Sequence, residues 1–118
     1  ESGGSAQTAV SIVRAELTAV VAELQQAASG VPVIICNYYN PLQNLDPPSE
    51  AQLAQVNAAV AQIAIERGAK LADFHGAFNT APAPNAQLCT YVDCAHIDVH
   101  PTIAGHARLA HAALAAVA

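Results

Sequence analysis

Four of the chain's five histidines lie in "HIDVHPTIAGHARLAHAA", His96 to Ala113, and the chemistry of such a segment depends on what stands beside each ring. Asp98 precedes His100 by two residues. At that spacing the carboxylate can turn toward the imidazole Nδ1–H, fix the tautomer, aim Nε2 outward and stabilise the imidazolium once a proton has been taken. Those are the acid and base of a nucleophilic triad. In an extended segment alternate side chains share a face, so His96, Asp98 and His100 would point together. Two imidazoles and a carboxylate on one face also suit zinc or iron, but a metal site leaves Pro101 and Gly105 without a role and finds no further ligand at a fixed spacing. A third reading makes Asp98 the N-cap of the following helix and His100 a partly buried polar residue. His106 and His111 read as helix-surface residues, and His75, after the second strand, as a loop histidine that either faces the site or is structural. Cys89 and Cys94 bracket "TYVD", close enough for a small disulfide loop just ahead of the histidine segment; the alternative is two reduced thiols. Cys36, inside an apolar run, reads as an inert buried thiol.

These residues must be positioned by the elements around them. From about Ala6 to Ala28, Val10, Val13, Leu17, Val20 and Leu24 recur every three or four residues, the spacing of one helical face, with Ser5 as N-cap and Gly30 as stop. "VPVIICN", Val31 to Asn37, is a continuous β-branched run that suits a strand covered on both faces, as in a parallel sheet. Ser49 opens a second helix, because "SEAQ" places Gln52 where a capping box needs it, and Leu53, Val56, Val60 and Ile63 carry the stripe until Gly68. "KLADF", Lys70 to Phe74, is a shorter strand candidate, and an irregular passage runs from His75 to about Ala95. Pro101 suits the first turn of a last helix, whose inner face is expected at Ile103, Ala107, Ala110, Leu114 and Val117. This order reads as an α/β chain, the second half of an open parallel sheet with helices packed on it. Two parallel strands cannot cover three helices, and they leave both edges unpaired. Either an N-terminal segment or another copy of the chain supplies further strands, or the chain holds more strands than these two.

Composition narrows the field. The chain has 118 residues, 53% of them hydrophobic and 11% charged, enough for one small, strongly apolar domain. Polar residues and prolines interrupt the apolar runs well short of the roughly 18 to 20 residues that would span a bilayer, so no transmembrane segment is expected. With a net charge of −5 and only Arg14, Arg67, Lys70 and Arg108 as fixed cations, no basic stripe exists to meet a phosphate backbone, which argues against nucleic acid. The sequence contains no methionine and opens on the Gly/Ser-rich "ESGGS", which reads as linker. The expectation is residues 1–118 as the C-terminal part of a single larger domain, with trimming by a signal peptidase as the alternative.

"DVHPTIAGHARLA" resembles the last block of the SGNH (GDSL-type) serine hydrolases, where an aspartate, one intervening residue and a histidine, followed by Pro and then Gly, supply the triad's acid and base. "VPVIICNYYNPL" is similar to the family strand that ends in an aromatic, Asn/Pro-containing turn. The resemblance implies a flavodoxin-like three-layer α/β/α sandwich, ester hydrolysis without metal or organic cofactor, Asp98 as triad aspartate and His100 as general base. Tyr38, Tyr39 and Asn40 are candidates for lining the substrate pocket, with a packed aromatic turn as the alternative. The family's Gly-Asp-Ser block and its Gly-x-Asn-Asp block are absent here. Ser2, Ser5, Ser11, Ser29 and Ser49 lie in a linker, a helix or cap positions, so the nucleophile and oxyanion donors are expected on an N-terminal segment. The chain alone should be inactive. The disulfide and the family together suggest a secreted or extracytoplasmic esterase. The rival class is a non-catalytic binding or assembly module of the same fold, with Asp98 and His100 as relics.

Overall fold

A computed structural model describes residues 2–118, with side chains from residue 6 onward. The order is α1 (Ser2–Ala27), β1 (Ile34–Cys36), α2 (Ser49–Arg67), β2 (Lys70–Ala72), α3 (Phe74–Phe78), α4 (Leu88–Tyr91), a 3₁₀ turn (Cys94–His96) and α5 (Ile103–Val117). The fold is α/β around a parallel pair. β1 and β2 pair in the register Ile34 to Lys70, Ile35 to Leu71 and Cys36 to Ala72, joined through α2. The long apolar run from Val31 to Asn37 is thus a strand only over three residues, because the ladder extends no further than its short partner.

Strand alternation puts Ile35 and Leu71 on the face covered by α1 and α2, where Val21, Val60, Ile63 and Ala64 complete the larger core. A second core joins Phe78, Leu88 and Val92 to Tyr39, Tyr91 and Leu109, between the short helices and α5. Gly68 ends α2 as expected, in the left-handed conformation with φ 65°, its N–H donating to the carbonyls of Ala64 and Ile65.

Several expectations need correction. Residues 2–5 of the supposed linker are helical, so Ser5 is inside α1 rather than capping it; its side chain, like all of Glu1, lies outside the described residues. The inner line of α1 runs Val13, Leu17, Val21 instead of through Val20 and Leu24, which are exposed. Ser49 makes no capping box: its hydroxyl turns back to donate to the Asp46 carbonyl, and Pro48 holds the cap position without a side-chain bond. The passage after β2 is not irregular, because α3, α4 and the 3₁₀ turn fold within it. α5 is rotated relative to the expected stripe. Ile103 is 92% exposed, Leu114 and Val117 also face outward, and Gly105, Leu109 and Ala112 turn inward. An alanine-rich helix is apolar nearly all round, so periodicity does not choose its phase. Gly105 does, since a Cβ there would collide with the Tyr91 carbonyl oxygen and only glycine allows that approach.

β1 has a strand on one edge only among the described residues. Beside its open edge, Ile12, Leu17, Val20 and Leu24 of α1 and Ile34 form an apolar groove. Cys36, expected to be buried, is exposed at the end of this strand, although partial burial still raises its thiol pKa.

Candidate active site

The segment bearing Asp98 and His100 is held at both ends. Upstream, α4 and the 3₁₀ turn are linked by Cys89 and Cys94, paired as a disulfide with Cα atoms 5.3 Å apart. Downstream, Val92 and Pro101 form an antiparallel bridge. The Asp93 N–H donates to the His100 carbonyl at 3.2 Å and the Asp98 N–H to the Asp93 carbonyl at 3.0 Å, closing a loop over residues 93 to 100. Thr102 caps α5, leaving Pro101 before the cap instead of in the first turn: the Thr102 hydroxyl oxygen accepts from the Gly105 N–H at 3.1 Å, while its hydroxyl donates to the Thr90 carbonyl at 2.7 Å.

Within this frame the i, i+2 contact forms. Asp98 Oδ1 pairs with His100 Nδ1 and also accepts the His100 backbone N–H at 3.0 Å. The His100 side chain bonds holds the Asp98 carboxyl below its ordinary pKa, with the His100 backbone N–H next in importance. With Nδ1 engaged, Nε2 is the ring nitrogen left for chemistry, on a side chain that is 78% exposed. Asp98 therefore does not cap α5.

His96 does not join them. Its ring Nδ1 lies 2.8 Å from Asp93 Oδ2, and Asp93 caps the 3₁₀ turn by accepting the His96 N–H. The expected shared face of His96, Asp98 and His100 fails because residues 94–96 coil and Ile97 takes a left-handed conformation, φ 51°, instead of extending. Among the described residues, no group of three metal-ligating side chains converges. His75 is also structural. Its Nε2 meets Glu50 at 3.0 Å and its N–H donates to Asn37 Oδ1, tying α3 to α2 and to the end of β1.

The turn after β1 is bonded to the site segment through Tyr39. The Tyr39 hydroxyl donates to the Val99 carbonyl at 2.9 Å, across sixty residues of sequence, fixing the peptide between acid and base. Its ring packs on Phe78, which stacks on Tyr91, over which Arg108 lies. Tyr38 is exposed, with its backbone clamped at both N–H and C=O by the Asn57 side chain. Asn40 is buried, and its amide serves the loop: the NH₂ donates to Ser49 Oγ and the oxygen accepts from the Leu42 N–H.

An amide network went unread in the sequence. Gln43 Oε1 accepts from both Asn79 and Asn85, and its own NH₂ donates to the Ala81 carbonyl. Asn44 and Asn85 exchange side-chain and backbone bonds at 2.7 and 2.9 Å. The clustering of Asn and Gln in "YNPLQN" and of Asn79 with Asn85 was the available signal.

No helix is long and apolar enough to cross a membrane among the described residues. No curated protein and no solved structure matches the chain. The model of the GDSL-like Lipase/Acylhydrolase family matches residues 3–108, nearly the whole chain, and ends beyond the Asp98–His100 pair. With an α/β frame and a match over most of its length, the chain belongs to the GDSL-like lipase/acylhydrolase family.

Proposed function

We propose that the chain is the C-terminal part of a serine ester hydrolase domain of flavodoxin-like α/β/α architecture, contributing the acid and base of its triad. The observation that carries this reading is the bond from Asp98 to His100 Nδ1 on an imidazole otherwise open to solvent. His100 Nε2 takes the proton of an incoming serine hydroxyl as that oxygen attacks the ester carbonyl. The resulting imidazolium, stabilised by Asp98, then protonates the departing alkoxide, and water repeats the sequence on the acyl-enzyme. No metal or organic cofactor is required by these steps.

The serine comes from a segment outside residues 1–118. Two features support this. Among the described residues no serine hydroxyl is hydrogen-bonded to a histidine; Ser49, for example, is engaged by Asp46 and Asn40. The open edge of β1 and the apolar groove beside it offer a seat for further strands. The Cys89–Cys94 pair supports a secreted or extracytoplasmic location. Tyr38 and Tyr39 share a depression with Val99, which supports a role for them in lining the substrate's path from the β1 side.

The reading is tested with p-nitrophenyl esters. The 118-residue chain alone is expected to give no turnover above buffer. In the complete enzyme, His100→Ala should lower kcat by at least about 10³-fold, within the range for losing a general base, with an unchanged unfolding midpoint. Retained turnover in that variant rejects His100 as base, and turnover by the isolated chain that depends on one of its own serines rejects the external nucleophile.

A further inference from the structure

A pocket of about 180 Å³ opens beside Asp98. Its floor is Leu88 and Val92 of the second core, its walls are Leu42 and Leu45 from the turn after β1, and its rim is Ile97 and Val99. Asp98 and both disulfide cysteines also border it. The lining side chains are overwhelmingly apolar, so a charged or sugar-like group would lose its hydration there with little in return. Val99 stands between Asp98 and His100 in sequence, so the pocket borders the segment that carries the pair.

Ile97 gives a second, independent pointer. It is the one non-glycine residue with positive φ among the described residues, and its side chain is 81% exposed. A β-branched residue is poorly suited to that backbone conformation, and an isoleucine so exposed gains little from packing. Glycine would serve the turn better. Unfavourable backbone conformations of this kind concentrate at ligand clamps, and the side chain retained here is the apolar one on the pocket rim.

Resting on the hydrolase reading, we infer that this pocket is the specificity site for an apolar arm of the ester, and that Ile97 is its specificity-determining rim. An apolar cavity of roughly 150 Å³ accepts benzene, so the arm accommodated is about six to eight carbons long rather than a full-length fatty chain. The substrate class is a medium-chain or aromatic ester. The disulfide and the Val92–Pro101 bridge hold the rim in place.

The test is a methyl-resolved NMR titration of the 118-residue chain with methyl hexanoate, an uncharged ester, set beside thermal unfolding of Ile97→Gly. Saturable shifts are expected at Leu45, Leu88 and Val99, with Ile97→Gly weakening binding at least about fivefold while raising the unfolding midpoint, because glycine relieves the backbone. A structural role for Ile97 would move stability the other way. Shifts confined to the groove between α1 and β1, no shifts at all, or undiminished binding by Ile97→Gly overturn the inference. Binding needs no proton transfer, so a failure here is distinct from retained turnover by His100→Ala, which would strike the hydrolase reading alone.

Discussion

The two halves of the molecule are held by different forces. Around β1 and β2 the contacts are apolar: Val21, Ile35, Val60, Ile63 and Ala64 pack without a polar partner. Around the site much of the backbone is loop, and beside the small core of Phe78, Leu88 and Val92 directional bonds hold it: the amides of Gln43, Asn79 and Asn85, the Asn44–Asn85 exchange, the Tyr39 hydroxyl and a disulfide. Apolar burial is non-directional and tolerates small shifts. Hydrogen bonds fail when an atom moves by a fraction of an ångström. The difference teaches that the frame supplies stability, whereas the loops supply the fixed geometry that a braced imidazole requires.

That contrast is open to attack from either side. Ile63→Ala, at a side chain 1% exposed, should cost about 3 kcal/mol of global stability through lost transfer energy and a cavity. Denaturant unfolding would read this as a lower midpoint, with hydrogen exchange accelerated throughout. Gln43→Leu should cost about 2 kcal/mol, because it removes one of the two acceptors from each of the Asn79 and Asn85 NH₂ groups and the side-chain donor from the Ala81 carbonyl. Its signature should be local: faster amide exchange in residues 79 to 100, with α1 and α2 protected almost as before. Equal acceleration in both halves would erase the distinction.

The smallest effect concerns acid. Burial pushes the Asp73 carboxyl upward, but the Asn37 side chain, the Gly76 N–H and nearby His75 together outweigh it, and the net shift is downward. A lowered folded pKa stabilises above the ordinary carboxylate value, and that contribution disappears as pH falls through the lowered one. Asp73→Asn should therefore show a smaller loss of unfolding midpoint than the parent between pH 7 and pH 3. Asp73 is largely exposed, so the difference will be modest.

The sequence was most legible where a pattern is local and periodic. α2 announces itself through Leu53, Val56, Val60 and Ile63, and the Asp98–His100 contact through a spacing of two. The family resemblance rests on that short block and on "VPVIICNYYNPL", and the family model matches residues 3–108. Legibility fails where the deciding contact is distant or where a pattern has no preferred phase. α5 offers apolar residues on every side, and its orientation depends on Gly105 meeting a carbonyl fourteen residues earlier. The amide network joins residues 36 to 42 positions apart, beyond any sequence window. α4 is four residues long, too short for a helical period to show. His96 was misplaced because Asp93, three residues before it, offers a cap that draws the chain into a turn.

The phenol of Tyr39 has one more consequence. Desolvation, and after it the negative charge of Asp98, raise its pKa above the ordinary tyrosine value. A proton retained into alkaline solution keeps this hydroxyl a donor, so its grip on the Val99 carbonyl outlasts conditions that would ionise a surface tyrosine. The acid that orients the imidazole thereby also protects the clasp that orients the acid.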